Sequence, residues 1–150
     1  MFSNEILSQK AREIRLQILD MVHTAGSGHI GGSFSAVEIL LYLYLNKMNI
    51  RHLQPLWEDR DRFIMSKGHA TPVYYSVLAE AGFFSKQELK TFRQINSRLQ
   101  GHPDMKKIGS RFFIRLFGTG LVCGVRHSLG FKKQRQKQQG ICAARRRRIK

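Results

Sequence analysis

Acidic residues are absent from the last 42 positions of the chain, and this absence divides the sequence in two. Residues 109–150 contain 12 lysines and arginines but no aspartate or glutamate, whereas residues 1–108 contain 14 basic and 10 acidic residues. The tail therefore carries +12 of the formal net charge of +16, and the remaining +4 is ordinary for a soluble enzyme. We predict two regions, an ordered region at 1–108 and an irregular basic tail at 109–150.

Cysteine and long apolar runs are also scarce. The two cysteines, Cys123 and Cys142, form no CxxC pair, so the sequence supports neither a common zinc site nor a disulfide framework. The longest apolar run, at 39–45, is too short to cross a bilayer, and basic residues at positions 10, 12 and 15 interrupt any signal peptide. We expect no membrane partner and a cytoplasmic location.

Hydrophobic periodicity predicts helices in the first part of the chain. Apolar residues spaced three and four apart predict a helix over 4–24 that ends at Gly26. The glycine-rich stretch SGHIGGS follows as a loop. Ser35 and Glu38 are then typical of a capping box, which opens an apolar helix that extends to about Asn46.

The next part of the chain adds a strand and two further helices. The run at 62–65 predicts a buried strand, and SKGHA leads from it into a helix over 72–81. A second capping box at 85–88 opens a short helix, and GHPD at 101–104 forms a turn. The pattern predicts an α/β domain with helices around a mostly parallel sheet and with histidines in its loops.

Three of those histidines stand beside glycine: His29, His69 and His102. Imidazole can donate a hydrogen bond to a phosphate or transfer protons near neutral pH, and a neighbouring glycine lets the backbone approach a ligand. For any one of them alone, a structural role is favoured, in which the histidine only hydrogen-bonds its own turn. The three together, with the sequences around them, are more specific.

These histidines stand in strings that resemble a known enzyme family. SGHIGGSFSAVEILLYLYL, RDRFIMSKGHATPVYYSVLAEAGFF and LQGHPDMKKI are similar, in order and spacing, to the opening third of transketolases, particularly the short N-terminal subunit of split enzymes. The resemblance covers most of residues 5–108. It implies an incomplete thiamine-diphosphate-binding, Rossmann-like α/β domain that serves the transfer of a two-carbon ketol unit between sugar phosphates. It also implies a C-terminal transketolase subunit, or a second copy, as partner.

Residue roles follow from the same resemblance. His69, with Gly68 before it, would contact the diphosphate of the cofactor. His29 and His102 would line the substrate channel as catalytic residues that handle substrate hydroxyls and protons. Ile30 stands where many full-length transketolases have proline, which marks the split-subunit branch. Deoxyxylulose phosphate synthase is the nearest enzymatic alternative, although its early loop differs from SGHIGGS.

Two later strings of the family are missing from this sequence. The family continues with a segment like GVDFSSGSLGQGLS and then VYVLLGDGEL, whose aspartate begins the site of the Mg²⁺ or Ca²⁺ that holds the diphosphate. A shift of reading frame near residue 109 would recover both strings, and it predicts that residues 109–150 are out of frame and disordered. We therefore expect a transketolase fragment that lacks the metal site and is inactive by itself.

The basic tail allows a second interpretation, in which residues 131–150 form an arm that binds nucleic acid. After Phe131 this arm has no aromatic side chain on which a base could stack, and charge alone gives only salt-sensitive, non-specific affinity. The alternative function is a small basic nucleic-acid-binding protein. We expect no specific nucleic acid partner.

Overall fold

The computed structural model describes residues 1–54, 57–65, 67–102 and 140–143. In chain order, its elements are α1 (Asn4–Thr24), α2 (Ile30–Phe34), α3 (Val37–Tyr42), a π-helical turn (Leu43–Lys47), β1 (Arg62–Met65), α4 (Thr71–Glu80), a 3₁₀ helix (Lys86–Thr91) and β2 (Gly140–Ala143). The described part of the chain is therefore mostly helical. No helix in these ranges is both long enough and apolar enough to cross a membrane.

Helix α1 forms where the apolar spacing predicts it. Ser3 caps its first turn, since the Ser3 hydroxyl accepts a hydrogen bond from the amide of Ile6 at 3.4 Å. The helix ends before Gly26, which adopts a φ of +61°, a left-handed conformation that glycine enters without strain. The predicted helix over 4–24 is confirmed, and its buried face is apolar: Ala11, Ile14, Ile18, Met21 and Val22.

Helix α2 occupies residues that the sequence predicts to be a loop. Ser33 is buried within it, and its hydroxyl donates to the carbonyl of His29 at 2.8 Å. This bond satisfies the buried hydroxyl and one carbonyl at the start of the turn, so the segment closes on itself. The loop prediction is therefore wrong for residues 30–33.

The capping box predicted at Ser35 is also wrong. Ser35 ends α2, and its hydroxyl donates to the carbonyl of Gly32 at 3.0 Å. Helix α3 begins after Ala36 without a side-chain cap, and Glu38 forms an ion pair with Arg15 of α1 instead. As the C-cap of α2, Ser35 has helical backbone angles (φ −66°, ψ −7°), so it does not adopt the extended conformation of an N-cap.

Helix α4 lies at the centre of the core. Its bounds, Thr71–Glu80, lie one residue from the predicted 72–81. Pro72 lies in the first turn, where backbone N–H groups have no intrahelical acceptor, so its missing N–H costs the helix no hydrogen bond. Every residue from Thr71 to Ala79 is buried, because α1, α2, α3 and the 3₁₀ helix all pack against α4.

Aromatic rings connect α4 to β1. Phe63 of β1 is nearly parallel to Tyr74, with ring centroids 6.0 Å apart, and Tyr44 meets both rings edge-on. The hydroxyls of Tyr44 and Tyr74 are hydrogen-bonded to each other at 3.2 Å. Burial raises the pKa of both phenols well above the usual value, so these two side chains stay neutral in the core.

Only the serine half of the capping box predicted at 85–88 forms at the start of the 3₁₀ helix. The hydroxyl of Ser85 accepts a hydrogen bond from the amide of Gln87 at 3.3 Å, as an N-cap does. Glu88 does not return to the cap. Its two carboxylate oxygens accept from the Nε and Nη2 atoms of Arg98 at 2.7 and 2.6 Å, and this bidentate pair fixes the chain that follows the helix.

Strand β1 forms where it is predicted and pairs in parallel with β2. Arg62 lies opposite Gly140, and Met65 lies opposite Ala143. Strand β2 belongs to the tail predicted to be irregular, so the structure differs from that prediction at residues 140–143. The parallel pair agrees with an α/β fold, whereas the larger, mostly parallel sheet stays a prediction. The rest of the tail lies outside the described residues.

Glu80, at the end of α4, is expected to make stability depend on pH. Its side chain is 5% exposed and forms ion pairs with Lys10 and Lys86. Burial by itself would raise the pKa of Glu80, but the hydrogen bonds from the two lysines outweigh it and hold the pKa below its usual 4.5. A carboxylate with a lowered pKa stabilises the fold above its unfolded pKa, and this contribution is lost as the pH falls through the folded value.

Glu80→Gln should therefore lower the free energy of unfolding at neutral pH by about 1–3 kcal/mol. It should also reduce the loss of stability below about pH 4.5, because the titrating group is gone. Urea unfolding at a series of pH values measures both effects. Asp59→Asn, at an exposed position, is the matched control, and the same pH profile in both variants would contradict the prediction.

Candidate functional site

The segment between α1 and α3, residues 26–35, carries His29 and includes helix α2, and we call it the Gly–His loop. Gly28 within it has a φ of +156°. A Cβ atom at Gly28 would lie 2.6 Å from Cγ2 of Val22, so the backbone of the loop packs directly on the end of α1. Glycine is needed here both for the backbone angle and for this close approach.

His29 and His69 meet beside this loop. Their ring centroids are 5.0 Å apart, with the ring planes tilted by 58°. Gly32 faces the second ring, since a Cβ atom there would lie 3.3 Å from both Cδ2 and Nε2 of His69. His29 is exposed and His69 is half-buried, so the pair presents one accessible imidazole and one that is held against the loop.

The turn between β1 and α4, residues 67–70, positions His69. The amide of Ala70 donates to the carbonyl of Lys67 at 2.9 Å, which closes the turn around Gly68 and His69. Lys67 also reaches back to the Gly–His loop, where its Nζ donates to Oγ of Ser35 at 2.7 Å. An ammonium group and two imidazoles therefore lie around one surface, a combination that suits a phosphate group.

His102 joins this arrangement through the backbone of its own segment. Thr71, two residues after His69, donates from its hydroxyl to the carbonyl of Gly101 at 2.9 Å. Tyr75, one turn further along α4, donates to the carbonyl of Gln100 at 2.8 Å. Burial raises the pKa of Tyr75, so its hydroxyl keeps the proton that it donates. The exposed His102 is thus fixed at the N-terminal end of α4, the end that follows His69.

All four predicted site residues, Gly68, His29, His69 and His102, lie within the described residues, and the three segments that carry them are joined. Ring contact joins the first two histidines, and hydrogen bonds to α4 bring in the third. The catalytic and cofactor-binding roles of these four residues stay predictions. The last two residues of the predicted turn, at 103 and 104, lie outside the described residues.

Several polar residues of this site were missed by the sequence analysis: Ser27, Ser35, Lys67 and Arg93. Lys67 stands two residues before His69 and could have been noticed as a nearby cation. The others had no usable signal, because their partners are distant in the chain. Serine in a glycine-rich stretch and arginine after a short helix are both common at protein surfaces.

Metal ligands do not gather in the part of the chain that the structure describes. Among those residues, no three histidine, cysteine, aspartate or glutamate side chains lie close enough together to hold a metal ion. The site therefore offers donors for a phosphate group but no ligand set for a cation there.

Comparison with known sequences places these features in a family. The sequence model for the family described as "Transketolase, thiamine diphosphate binding domain" matches residues 6–137. The chain is 37% identical to mouse transketolase over 126 residues, which are 83% of this chain and 20% of the mouse protein. It is 34% identical over 128 residues to an apulose-4-phosphate transketolase subunit of Phocaeicola vulgatus, covering 85% of this chain and 46% of that subunit.

Solved structures agree with the sequences. Transketolase from Pichia stipitis, in complex with sedoheptulose 7-phosphate, superposes with a TM-score of 0.69 at 30% identity, over 79% of this chain and 18% of that one. Transketolase from Leishmania mexicana gives a TM-score of 0.61 at 36% identity, over 69% of this chain and 15% of that one. The chain thus spans about a fifth of the length of mouse transketolase and less than half of the apulose-4-phosphate transketolase subunit.

The family match covers the Gly–His loop, the turn before α4 and the segment of His102, which are the three segments that the structure joins. From the agreement of sequence and fold, this chain belongs to the transketolase family and contains part of its thiamine diphosphate binding domain.

Proposed function

We propose that this chain supplies the thiamine-diphosphate-binding surface of a transketolase, an enzyme that moves a two-carbon ketol unit between sugar phosphates. The observation that carries the proposal is the contact between His29 and His69, with ring centroids 5.0 Å apart, beside the turn that holds Gly68. A half-buried imidazole, in the same turn as a lysine whose ammonium group reaches the Gly–His loop, is suited to hydrogen bonding with a diphosphate. The nucleic-acid alternative has no support among the relatives.

The residues present suit the organic cofactor better than they suit its metal. Gly32 has no side chain to fill the space beside the ring of His69. A Cβ atom at this position would already lie 3.3 Å from that ring. His69 and Gly68 would contact the diphosphate, and His29 and His102 would handle the hydroxyls and protons of a sugar phosphate. Thiamine diphosphate, when bound, supplies the carbon nucleophile for ketol transfer. Within the described residues, no three side chains are grouped to bind the Mg²⁺ or Ca²⁺ of the intact enzymes.

A partner chain is part of the proposal. Two relatives are named as subunits, one of an apulose-4-phosphate transketolase and one of a 6-deoxy-6-sulfo-D-fructose transketolase from Clostridium. This chain covers 46% and 44% of them. We propose that a complementary transketolase subunit, or a second copy, completes the active site, and that this chain transfers no ketol unit by itself.

Titration with thiamine diphosphate, followed by NMR of the histidine ε1 signals, tests the binding surface. We expect the diphosphate ester to shift the signal of His69, whereas thiamine without the diphosphate should not. Loss of a charge-assisted hydrogen bond in His69→Ala should weaken the affinity about tenfold or more. His52→Ala, whose ring packs on Gly82, is the control and should bind normally.

Two outcomes would contradict this proposal. One is equal shifts with thiamine and with thiamine diphosphate, since the diphosphate would then have no role in binding. The other is unchanged affinity in His69→Ala. Ketol transfer by the chain alone, measured with a ketose phosphate donor and an aldose phosphate acceptor, would contradict the separate expectation that the chain is inactive without a partner.

A further inference from the structure

Arg93 lies between two of the histidine-bearing segments, and its backbone conformation is unusual for arginine. Its φ is +60°, in the left-handed region that non-glycine residues seldom adopt. The conformation is held by a hydrogen bond from the amide of Arg93 to the carbonyl of Leu99 at 2.8 Å. Phe92 before it and Leu99 are both buried, so the position of Arg93 is anchored on the core.

Polar contacts fix the residues on both sides of Arg93 in the chain. Oγ1 of Thr91 and Oγ of Ser97 lie 2.8 Å apart in a hydrogen bond, and Nε2 of Gln100 donates to the carbonyl of Ser97 at 2.5 Å. The bidentate pair of Arg98 with Glu88 adds a third constraint. The segment around Arg93 is therefore held by more polar contacts than an ordinary surface loop.

The guanidinium of Arg93 contacts both segments. Its Nη1 donates to Oγ of Ser27, in the Gly–His loop, at 2.9 Å. Its other side packs on Gly101, where a Cβ atom would lie 2.7 Å from Nε and Nη2 and 2.9 Å from Cζ. The guanidinium thus contacts Ser27, two positions before His29, on one side and Gly101, one position before His102, on the other.

Ion pairing does not explain this arrangement. In the described part of the chain, the guanidinium of Arg93 forms no ion pair with a carboxylate, while Arg15 and Arg98 each have one. A planar group with donors in fixed directions can hold a hydrogen bond on one side and a packing contact on the other more rigidly than a lysine ammonium. The geometry therefore fits a spacer between loops better than it fits a partner for an acidic residue.

We infer that Arg93 is a positioning residue, which sets the spacing between His29 and His102 by joining Ser27 to Gly101. The inference rests on the proposed function, because it assumes that both histidines serve one substrate site. Gly101 has a part in it, since its φ is not in the left-handed region and the three atoms nearest to a Cβ there all belong to Arg93. Gly101→Ala should push the guanidinium off Ser27 without changing Arg93.

NMR of the full chain, with no cofactor present, tests this inference. In Arg93→Gln we expect the ε1 signals of both His29 and His102 to shift, while those of His23 and His52 stay in place. Amide hydrogen exchange at residues 27–29 should rise roughly three- to tenfold, the effect expected for loss of one ordinary hydrogen bond of about 1 kcal/mol. Gly101→Ala should reproduce both changes, and Arg93→Gln combined with Gly101→Ala should do no more than Arg93→Gln alone.

Arg12→Gln is the matched control, because it removes the same charge from an exposed position on α1 and should shift neither signal. Thermal unfolding of each variant shows that it is folded. The inference is overturned if Arg93→Gln moves neither histidine signal, moves all four equally, or adds its effects to those of Gly101→Ala. Coupling of the two histidines in a chain that fails to bind thiamine diphosphate would support the spacing role of Arg93 but refute the proposed function, and with it the use of that spacing at a substrate site.

Discussion

Replacing Phe63 with alanine is expected to lower the free energy of unfolding by about 3–5 kcal/mol. The Phe63 side chain is 2% exposed and packs on Tyr74 and Tyr44, with centroid separations of 6.0 and 5.8 Å. Truncation removes both ring contacts and leaves a cavity between β1 and α4 that the surrounding residues fill only in part. Since domains of this size are stable by about 5–15 kcal/mol in total, the loss would be a large fraction of the whole.

Urea unfolding followed by circular dichroism measures this loss. Leu53→Ala is the control, because Leu53 is 83% exposed and its truncation should change stability by about 0.5 kcal/mol or less. Phe63→Leu keeps much of the apolar volume and should lose roughly half as much as Phe63→Ala, which keeps the comparison measurable if the alanine variant is unfolded. Equal midpoints for Phe63→Ala and Leu53→Ala would show that the aromatic contacts contribute little.

A substitution in the Gly–His loop should have the second largest effect. Gly28→Ala is expected to cost about 2–4 kcal/mol, the sum of an unfavourable backbone angle and an overpacked contact. The φ of Gly28 is +156°, and the new methyl group would lie 2.6 Å from Cγ2 of Val22. Val22 is buried in a helix, and its branched side chain has few other rotamers to adopt, so the loop backbone must move.

The same loop provides a control with the opposite expectation. Gly31 lies in α2, and a Cβ atom there would meet no atom of the described residues within 4 Å. Gly31→Ala should be neutral or stabilising by up to about 1 kcal/mol, because alanine loses less backbone entropy than glycine. Chemical denaturation of the two variants measures the difference in stability. The titration with thiamine diphosphate should also show weaker binding for Gly28→Ala only, and similar behaviour of the two variants would refute the argument.

Local patterns predicted several elements well. The bounds of α1 followed from apolar spacing together with Gly26, and β1 and α4 followed from an apolar run and from Pro72 in a first turn. These signals act between residues close in the chain. The capping box at Ser35 failed although its sequence pattern is correct, because Ser35 ends α2 with helical backbone angles. Its hydroxyl donates to Gly32 and accepts from Lys67, and the contact with Lys67 depends on tertiary structure.

The sequence could single out the histidines of the candidate site, but it could not show how the structure connects them. The glycine beside each of His29, His69 and His102 drew attention to them. No local pattern could show that the first two rings touch, or that Arg93 reaches Ser27 from 66 positions away. Strand β2 was missed for a different reason, since four residues of modest strand propensity in a basic tail give little periodic signal.

The parallel pairing of β1 with β2 has a consequence for how the chain folds. Residues 66–139 separate the two strands, whereas the helices that pack on α4 all lie within the first 91 residues. Closing a long loop costs entropy that grows with the logarithm of its length, and distant contacts slow folding more than they weaken the final structure. The helical cluster is therefore expected to assemble first, and the two strands to join last. Until then, β1 has an open edge that another chain could bind, so the order of assembly favours misassociation at this strand.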